Sequence, residues 1–163
     1  MKNYLLNTIL TLSILLLFSF QSLGQQQSFN KEKNWVYDYE NILTTEQEQK
    51  LNLLIQKFEQ KTTNEIAIVT VENIGRFDKM IEYAVDFGKK HKVGKKNKKN
   101  GLIILFSKKM RKTFLATGYA TEKMLKDEIC NTIIQKSMVP YFKKQAYYEG
   151  LKSGLEVCIK KWE

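Results

Sequence analysis

A continuous apolar run, Gly101-Leu102-Ile103-Ile104-Leu105-Phe106, limits what this chain can fold into more than any other feature. Apolar residues at every position, rather than at every second one, suit a strand covered on both faces. A second β-compatible segment, Lys112 to Thr117, follows after Ser107, Lys108, Lys109, Met110 and Arg111, a loop of hairpin length that is too polar to bury. The hairpin brings Gly118-Tyr119 back to the end of the sheet where Asn100 stands and sends its cationic loop to the other end. One end is then expected to offer small and polar groups, and the other charge.

The remaining elements are placed against this pair. Trp35-Val36-Tyr37-Asp38 reads as a short extended segment closed by a turn at Asp38, Glu40 and Asn41. Thr44 with Gln47, and Thr45 with Glu48, both have capping-box spacing, and Leu51, Leu54, Ile55 and Phe58 give the helix that follows one apolar face. Glu65 to Val71 is a strand. Phe77, Met80, Ile81, Ala84, Val85 and Phe87 predict a second amphipathic helix finishing near Gly88, which completes a βαβ unit with the strand at Gly101. Thr121 is expected to cap a helix through Ile129, Cys130, Ile133, Ile134 and Ser137 that the only proline, Pro140, ends. Tyr147, Leu151, Leu155, Cys158 and Trp162 form the seam of the last helix. The expected fold is α/β: a three-layer α/β/α sandwich with a small mixed sheet, one βαβ unit and a β-hairpin.

The amino terminus reads as a secretory signal peptide over residues 1–24. Lys2 gives the positive region, Ile9 to Phe20 the apolar region, and Ser22-Leu23-Gly24 the small residues of a cleavage site. A membrane anchor is the alternative, but Asn7, Thr8, Thr11 and Ser13 dilute a run shorter than the roughly 20 apolar residues a span requires. Residues 25–34 are expected to be a disordered lead-in and residues 35–163 one domain. Cleavage near Gly24 leaves a periplasmic or secreted protein with no transmembrane span.

Charge narrows the partners. The formal net charge is +10, and 11 of the 27 Lys and Arg fall between Lys89 and Lys112, with no Asp or Glu between Asp86 and Glu122. So lopsided a field favours an anionic partner. Nucleic acid is disfavoured by export and by the lack of aromatic residues interleaved in KKHKVGKKNKKN. Anionic headgroups, envelope polyanions or an acidic protein face remain, against the plainer reading of a solvated loop. Lys95, Lys96, Lys98, Lys99, Lys108, Lys109 and Arg111 are the candidate partner-binding residues.

Most catalytic signatures are missing. His91 is the only histidine, so a zinc site built on several histidines has no ligands, and Gly75, Gly88 and Gly94 are too isolated for a nucleotide loop. Cys130 and Cys158 could form a disulfide worth about 3 to 4 kcal/mol, or pack as free thiols. Asp38 and Glu40 follow the first extended segment, and Glu122 and Asp127 follow the hairpin near the expected return of Asn100. Oxygen donors from several loops are what Ca²⁺ or Mg²⁺ takes. Asp38, Asn100, Glu122 and Asp127 are therefore the candidate ligands.

From Val36 to about Lys160 the chain resembles the TPM domain family of thylakoid-lumen and bacterial envelope proteins. The resemblance is carried by Val36-Tyr37-Asp38 with Ile42-Leu43-Thr44, the EIAIVTV strand, Val93-Gly94, Asn100-Gly101 before LIILF, Gly118-Tyr119 with Glu122, Pro140 with Tyr141-Phe142, and Tyr148-Glu149-Gly150-Leu151. It implies an α/β/α sandwich and export. It also implies divalent-cation binding in some members and acid phosphatase activity in others. Here Lys99 stands where an acidic residue usually precedes Asn-Gly, and Gly118-Tyr119-Ala120 replaces Gly-Tyr-Gly. An ammonium 4 Å from a cation repels it by roughly 1 to 4 kcal/mol. The sequence thus leads to an exported accessory module of the envelope, non-catalytic, binding an anionic membrane or protein partner with an optional cation. The alternative is a metal-assisted acid phosphatase in which Asp38, Glu122 and Asp127 hold the ion and Lys99 or Arg111 the phosphate.

Overall fold

The computed structural model describes residues 33–163. The expected signal peptide, and all of the lead-in except Lys33 and Asn34, lie outside the described residues. Four strands, β1 (Val36–Asp38), β2 (Glu65–Thr70), β3 (Gly101–Ser107) and β4 (Lys112–Thr117), form one sheet in that order. β1 and β2 are parallel, with Val36 opposite Ile68; β2 and β3 are parallel, with Glu65 opposite Gly101. β3 and β4 are antiparallel from Leu102↔Thr117 to Ser107↔Lys112, the hairpin expected from the sequence.

Side chains alternate along a strand, so the odd and even residues of β3 face opposite layers. Phe106 is buried on one side against Phe142, with ring centroids 4.4 Å apart. Ile103 faces the other side, where its Cδ1 lies 2.9 Å from the position a Cβ on Gly88 would take. Leu102, Ile104 and Leu105 are fully buried between the layers, which is why the run is apolar throughout. Helix α1 (Thr45–Thr62) and the final helix share one layer, joined by Phe58 and Trp162 at 5.4 Å. Helix α2 (Met80–His91) covers the other face, with Phe87 packed edge-on to Tyr37 of β1 at 5.0 Å.

Local chemistry sets the helix ends. Thr44 Oγ1 accepts from the Gln47 N–H at 3.2 Å, and Gln47 Oε1 accepts from the Thr44 N–H at 2.9 Å, a reciprocal cap at the start of α1. α2 runs one turn beyond Gly88 and closes at Lys92, whose N–H donates to the Gly88 carbonyl. Gly88 is needed for close approach to Ile103, not for termination.

The segment after the hairpin departs from expectation. Thr121 caps no long helix: it lies in a single turn, α3 (Tyr119–Glu122), fully buried with its hydroxyl donating to the Gly101 carbonyl at 3.0 Å. The next helix, α4 (Asp127–Ile133), begins only at Asp127. Nor does Pro140 end the helical run. A π turn at Ile134–Met138 precedes α5 (Val139–Phe142), and Pro140 sits in the first turn of α5. Proline supplies no N–H to the preceding turn, and the wider turn accommodates that loss. α6 (Tyr147–Trp162) then packs back with Leu151, Leu155 and Cys158 fully buried. Cys130 and Cys158 are both free thiols. No helix of the described residues is long and apolar enough to cross a membrane.

Candidate functional site

Two rims bound the sheet. At the amino ends of the parallel strands, Asn100 is 4 % exposed and fully occupied. Its Nδ2 donates to the Thr63 carbonyl and to Asn64 Oδ1, both at 2.9 Å, and its Oδ1 accepts from the Lys95 N–H at 3.0 Å. Glu65, 5 % exposed, accepts from the Gly94 N–H at 2.8 Å and from the Lys33 ammonium at 3.2 Å. Gly94 itself has φ +85°, a conformation side chains resist. These two buried groups pin the loop after α2, so Lys92, Lys95, Lys96, Lys98 and Lys99 stand exposed around one rim.

Tyr119 stands at the same rim because the Ala120 N–H donates to the Lys99 carbonyl at 3.1 Å and the Gly118 N–H to the Gly101 carbonyl at 2.8 Å. It is 68 % exposed. The ammonium groups of Lys99 and Lys123 lie 5.8 and 5.4 Å from its ring centroid. Gly118-Tyr119 and Asn100 therefore do meet at one end of the sheet. That end is also strongly cationic, against the expectation that charge would go only to the other end: the lysine loop runs directly into β3 and must enter at its start.

The opposite rim holds Asp38, Glu40 and the hairpin tip. Asp38 accepts from the Leu43 N–H at 2.8 Å and from the Thr70 hydroxyl, and Glu40 accepts from the Lys108 and Lys109 N–H groups at 2.8 and 3.1 Å. The Glu48 carboxyl is raised from its ordinary value, first by burial and then by the charge of Asp38. Lys109 pairs with Glu72 at 2.8 Å. A cavity of about 690 Å³ lies here, lined among others by Phe106, Lys108, Arg111, Phe142 and Tyr147.

This geometry separates the candidate ligands. Asp38 pairs with Thr70, which pairs with Phe106, whereas Asn100 precedes Gly101. The intervening strand spans about 20 Å at ~3.3 Å per residue, far beyond any coordination sphere. Glu122 is on the Asn100 side, and Asp127 opens α4; both are exposed. Among the described residues, no three His, Cys, Asp or Glu come together as a metal-holding group. The set Asp38, Asn100, Glu122 and Asp127 does not fit one ion, and the expected convergence is corrected. The cationic set divides likewise: Lys95, Lys96, Lys98 and Lys99 are at one rim, Lys108, Lys109 and Arg111 at the other.

Sequence reasoning missed two features of the amino-end rim. Glu65 carries no motif, and its role depends on a loop folding back over it. The second is a groove of about 1050 Å³ between α2 and β4, floored by Ile103 and Ala116 and edged by Lys89, Lys92, Lys96 and Lys99. Ile81 and Val85 of α2, read as core, are 38 % and 44 % exposed. The signal was there: α2 has more apolar residues than one buried stripe uses. The His91 ring stacks on Phe87 at 4.1 Å and meets Tyr37 edge-on at 4.8 Å.

The architecture defines a small three-layer α/β domain with a four-stranded mixed sheet. The TPM domain family model matches residues 36–161, and the chain belongs to that family. Among solved structures it is similar to the N-terminal domain of a protein from P. gingivalis, with 28 % identity and a TM-score of 0.70 over 78 % of this chain and 81 % of that one. It is similar in fold to the N-terminal domain of cg2496 from Corynebacterium glutamicum, with 12 % identity and a TM-score of 0.62 over 86 % of each chain. The BA42 protein of Bizionia argentinensis shares 19 % identity with a TM-score of 0.64, over 77 % of this chain and 88 % of that one. No curated protein matches the chain.

Proposed function

We propose that this TPM domain is an exported, non-catalytic accessory module of the cell envelope that docks on an anionic membrane surface through the amino-end rim of its sheet. The observation that carries the reading is the pinned loop: Asn100 and Glu65 fix the segment bearing Lys95, Lys96, Lys98 and Lys99 at the rim where the exposed Tyr119 stands, with Lys99 and Lys123 beside its ring. An ordered cationic loop next to an exposed amphipathic aromatic suits a headgroup layer, where tyrosine places its ring at the apolar boundary and its hydroxyl in water. Lys108, Lys109 and Arg111 face away and are not part of the docking surface. A divalent cation has no place in this reading, because its expected ligands are divided between the rims.

The test is vesicle co-sedimentation of the purified protein with phosphatidylglycerol-containing and neutral membranes. Binding is expected only to the anionic vesicles and falls steeply with salt. Changing Lys95, Lys96, Lys98 and Lys99 together to Gln should abolish it, while changing Lys108, Lys109 and Arg111 to Gln should leave most of it. Equal losses in the two variants would reduce the effect to net charge and end the proposal. The alternative acid phosphatase would be restored by turnover of an aryl phosphate that is lost in Asp38→Ala.

A further inference from the structure

The groove between α2 and β4 has a direction. At the carboxyl end of α2, Lys89 and Lys92 converge with Lys96 and Lys99; toward the middle of the helix the walls become Ala84, Val85, Gly88, Ile103 and Ala116. The groove is wide because its floor is small: Gly88 lets α2 settle on Ile103, and Ala116 leaves β4 bare beside it. From Ala84 to Lys92, the part of α2 that lines the groove, the chain rises about 12 Å at ~1.5 Å per residue. One end is therefore cationic and the other apolar, in a space at the upper end of small-molecule sites, ~300–1,000 Å³.

We infer that this groove binds a single-chain anionic amphiphile, its phosphate or carboxylate among Lys89, Lys92, Lys96 and Lys99 and its acyl chain along Val85, Ile103 and Ala116. Charge complementarity selects the head. The walls select the tail: Ala84, Val85, Gly88, Ile103 and Ala116 bring no polar side chain into that half of the groove, and a chain of methylenes is their complement. The inference deepens the membrane-docking reading and rests on it for the source of the ligand.

The test is an NMR titration of the ¹⁵N-labelled protein with dodecyl phosphate below its micelle-forming concentration. Dodecyl maltoside, inorganic phosphate and an acidic peptide are titrated in parallel. Saturable shifts are expected at Val85, Gly88, Ile103 and Ala116 with dodecyl phosphate, and binding at least about tenfold weaker with each of the other three. Val85 is 44 % exposed, so Val85→Gln leaves the fold intact and should weaken the amphiphile about tenfold while sparing vesicle binding. Ala116→Phe, which fills the groove, should do the same. No shifts along the groove, an undiminished response in Val85→Gln, or tighter binding of the peptide would overturn the inference. Vesicle binding that persists in any of those cases leaves the docking reading standing alone.

Discussion

The Glu65 carboxylate accepts the Gly94 N–H at 2.8 Å from beneath, while 4 % exposed Asn100 accepts the Lys95 N–H at 3.0 Å from the side. A loop of like charges would otherwise repel itself into many arrangements. Two buried acceptors, taking the N–H groups of adjacent residues of that loop, fix one of them, and the opposed ends of the sheet follow from the strand that begins six residues after Lys95.

Glu65→Ala should destabilise the fold by about 1–3 kcal/mol, because the Gly94 N–H loses its acceptor and Lys33 one of its two carboxylate partners. Glu65→Gln, which keeps an acceptor oxygen, should recover part of the loss. Asn100→Ala should cost a similar amount. Urea midpoints at a constant denaturant slope measure both.

Glu40→Ala acts on the other rim and should do something different. The carboxylate is the acceptor for the Lys108 and Lys109 amides, at the exposed tip of the hairpin. Hydrogen exchange at those two amides should accelerate, while global stability changes by about 1 kcal/mol or less. Protection lost across all of β3 would contradict a role confined to the tip.

The His91 imidazole is held below its ordinary 6.5, first by burial and then by the charge of Lys90. The unfolded chain therefore takes up the proton at higher pH than the folded one. The contribution to stability is complete above the unfolded value, diminishes as pH falls through 6.5, and levels off below the folded value. A titration followed by NMR should place the midpoint under 6.5, and His91→Phe should flatten the decline in stability between neutral and mildly acid pH.

Burial, and then the charge of Asp127, push the Cys130 thiol up to about 11; burial pushes Cys158 higher still, with Cys130 adding to it. Thiolate is the reactive form, so both should resist a thiol reagent at mildly alkaline pH in the folded protein and react rapidly in denaturant. Absence of titratable thiol in denaturant would show a disulfide instead.

Much of the fold is legible because it obeys local rules. The cap at Thr44, the unbroken apolar run from Gly101 and the polar break at Lys108 each act over a few residues, and each produced the element it predicts. The family was legible too, from the order of short motifs, none decisive alone. The site was less so. Whether Asp38 can meet Asn100 depends on β1 lying parallel to β2, a pairing between segments about thirty residues apart that no local pattern encodes. The division of the lysines, by contrast, was readable: Lys95 to Lys99 precede β3 and Lys108 follows it, so one strand had to hold them apart. Thr121 misled because a hydroxyl before a helical stretch looks like a cap, and only the structure shows it spent on Gly101.

The β3–β4 hairpin also behaves as a ruler. Adding two residues to each arm would preserve which side chains face α2 and which face α6, and would move the tip cations outward by about 6.6 Å. The lengthened tip would leave Glu40 and Glu72 behind, so the distance between the two charged rims is tied to the anchors that hold Lys108 and Lys109 in place.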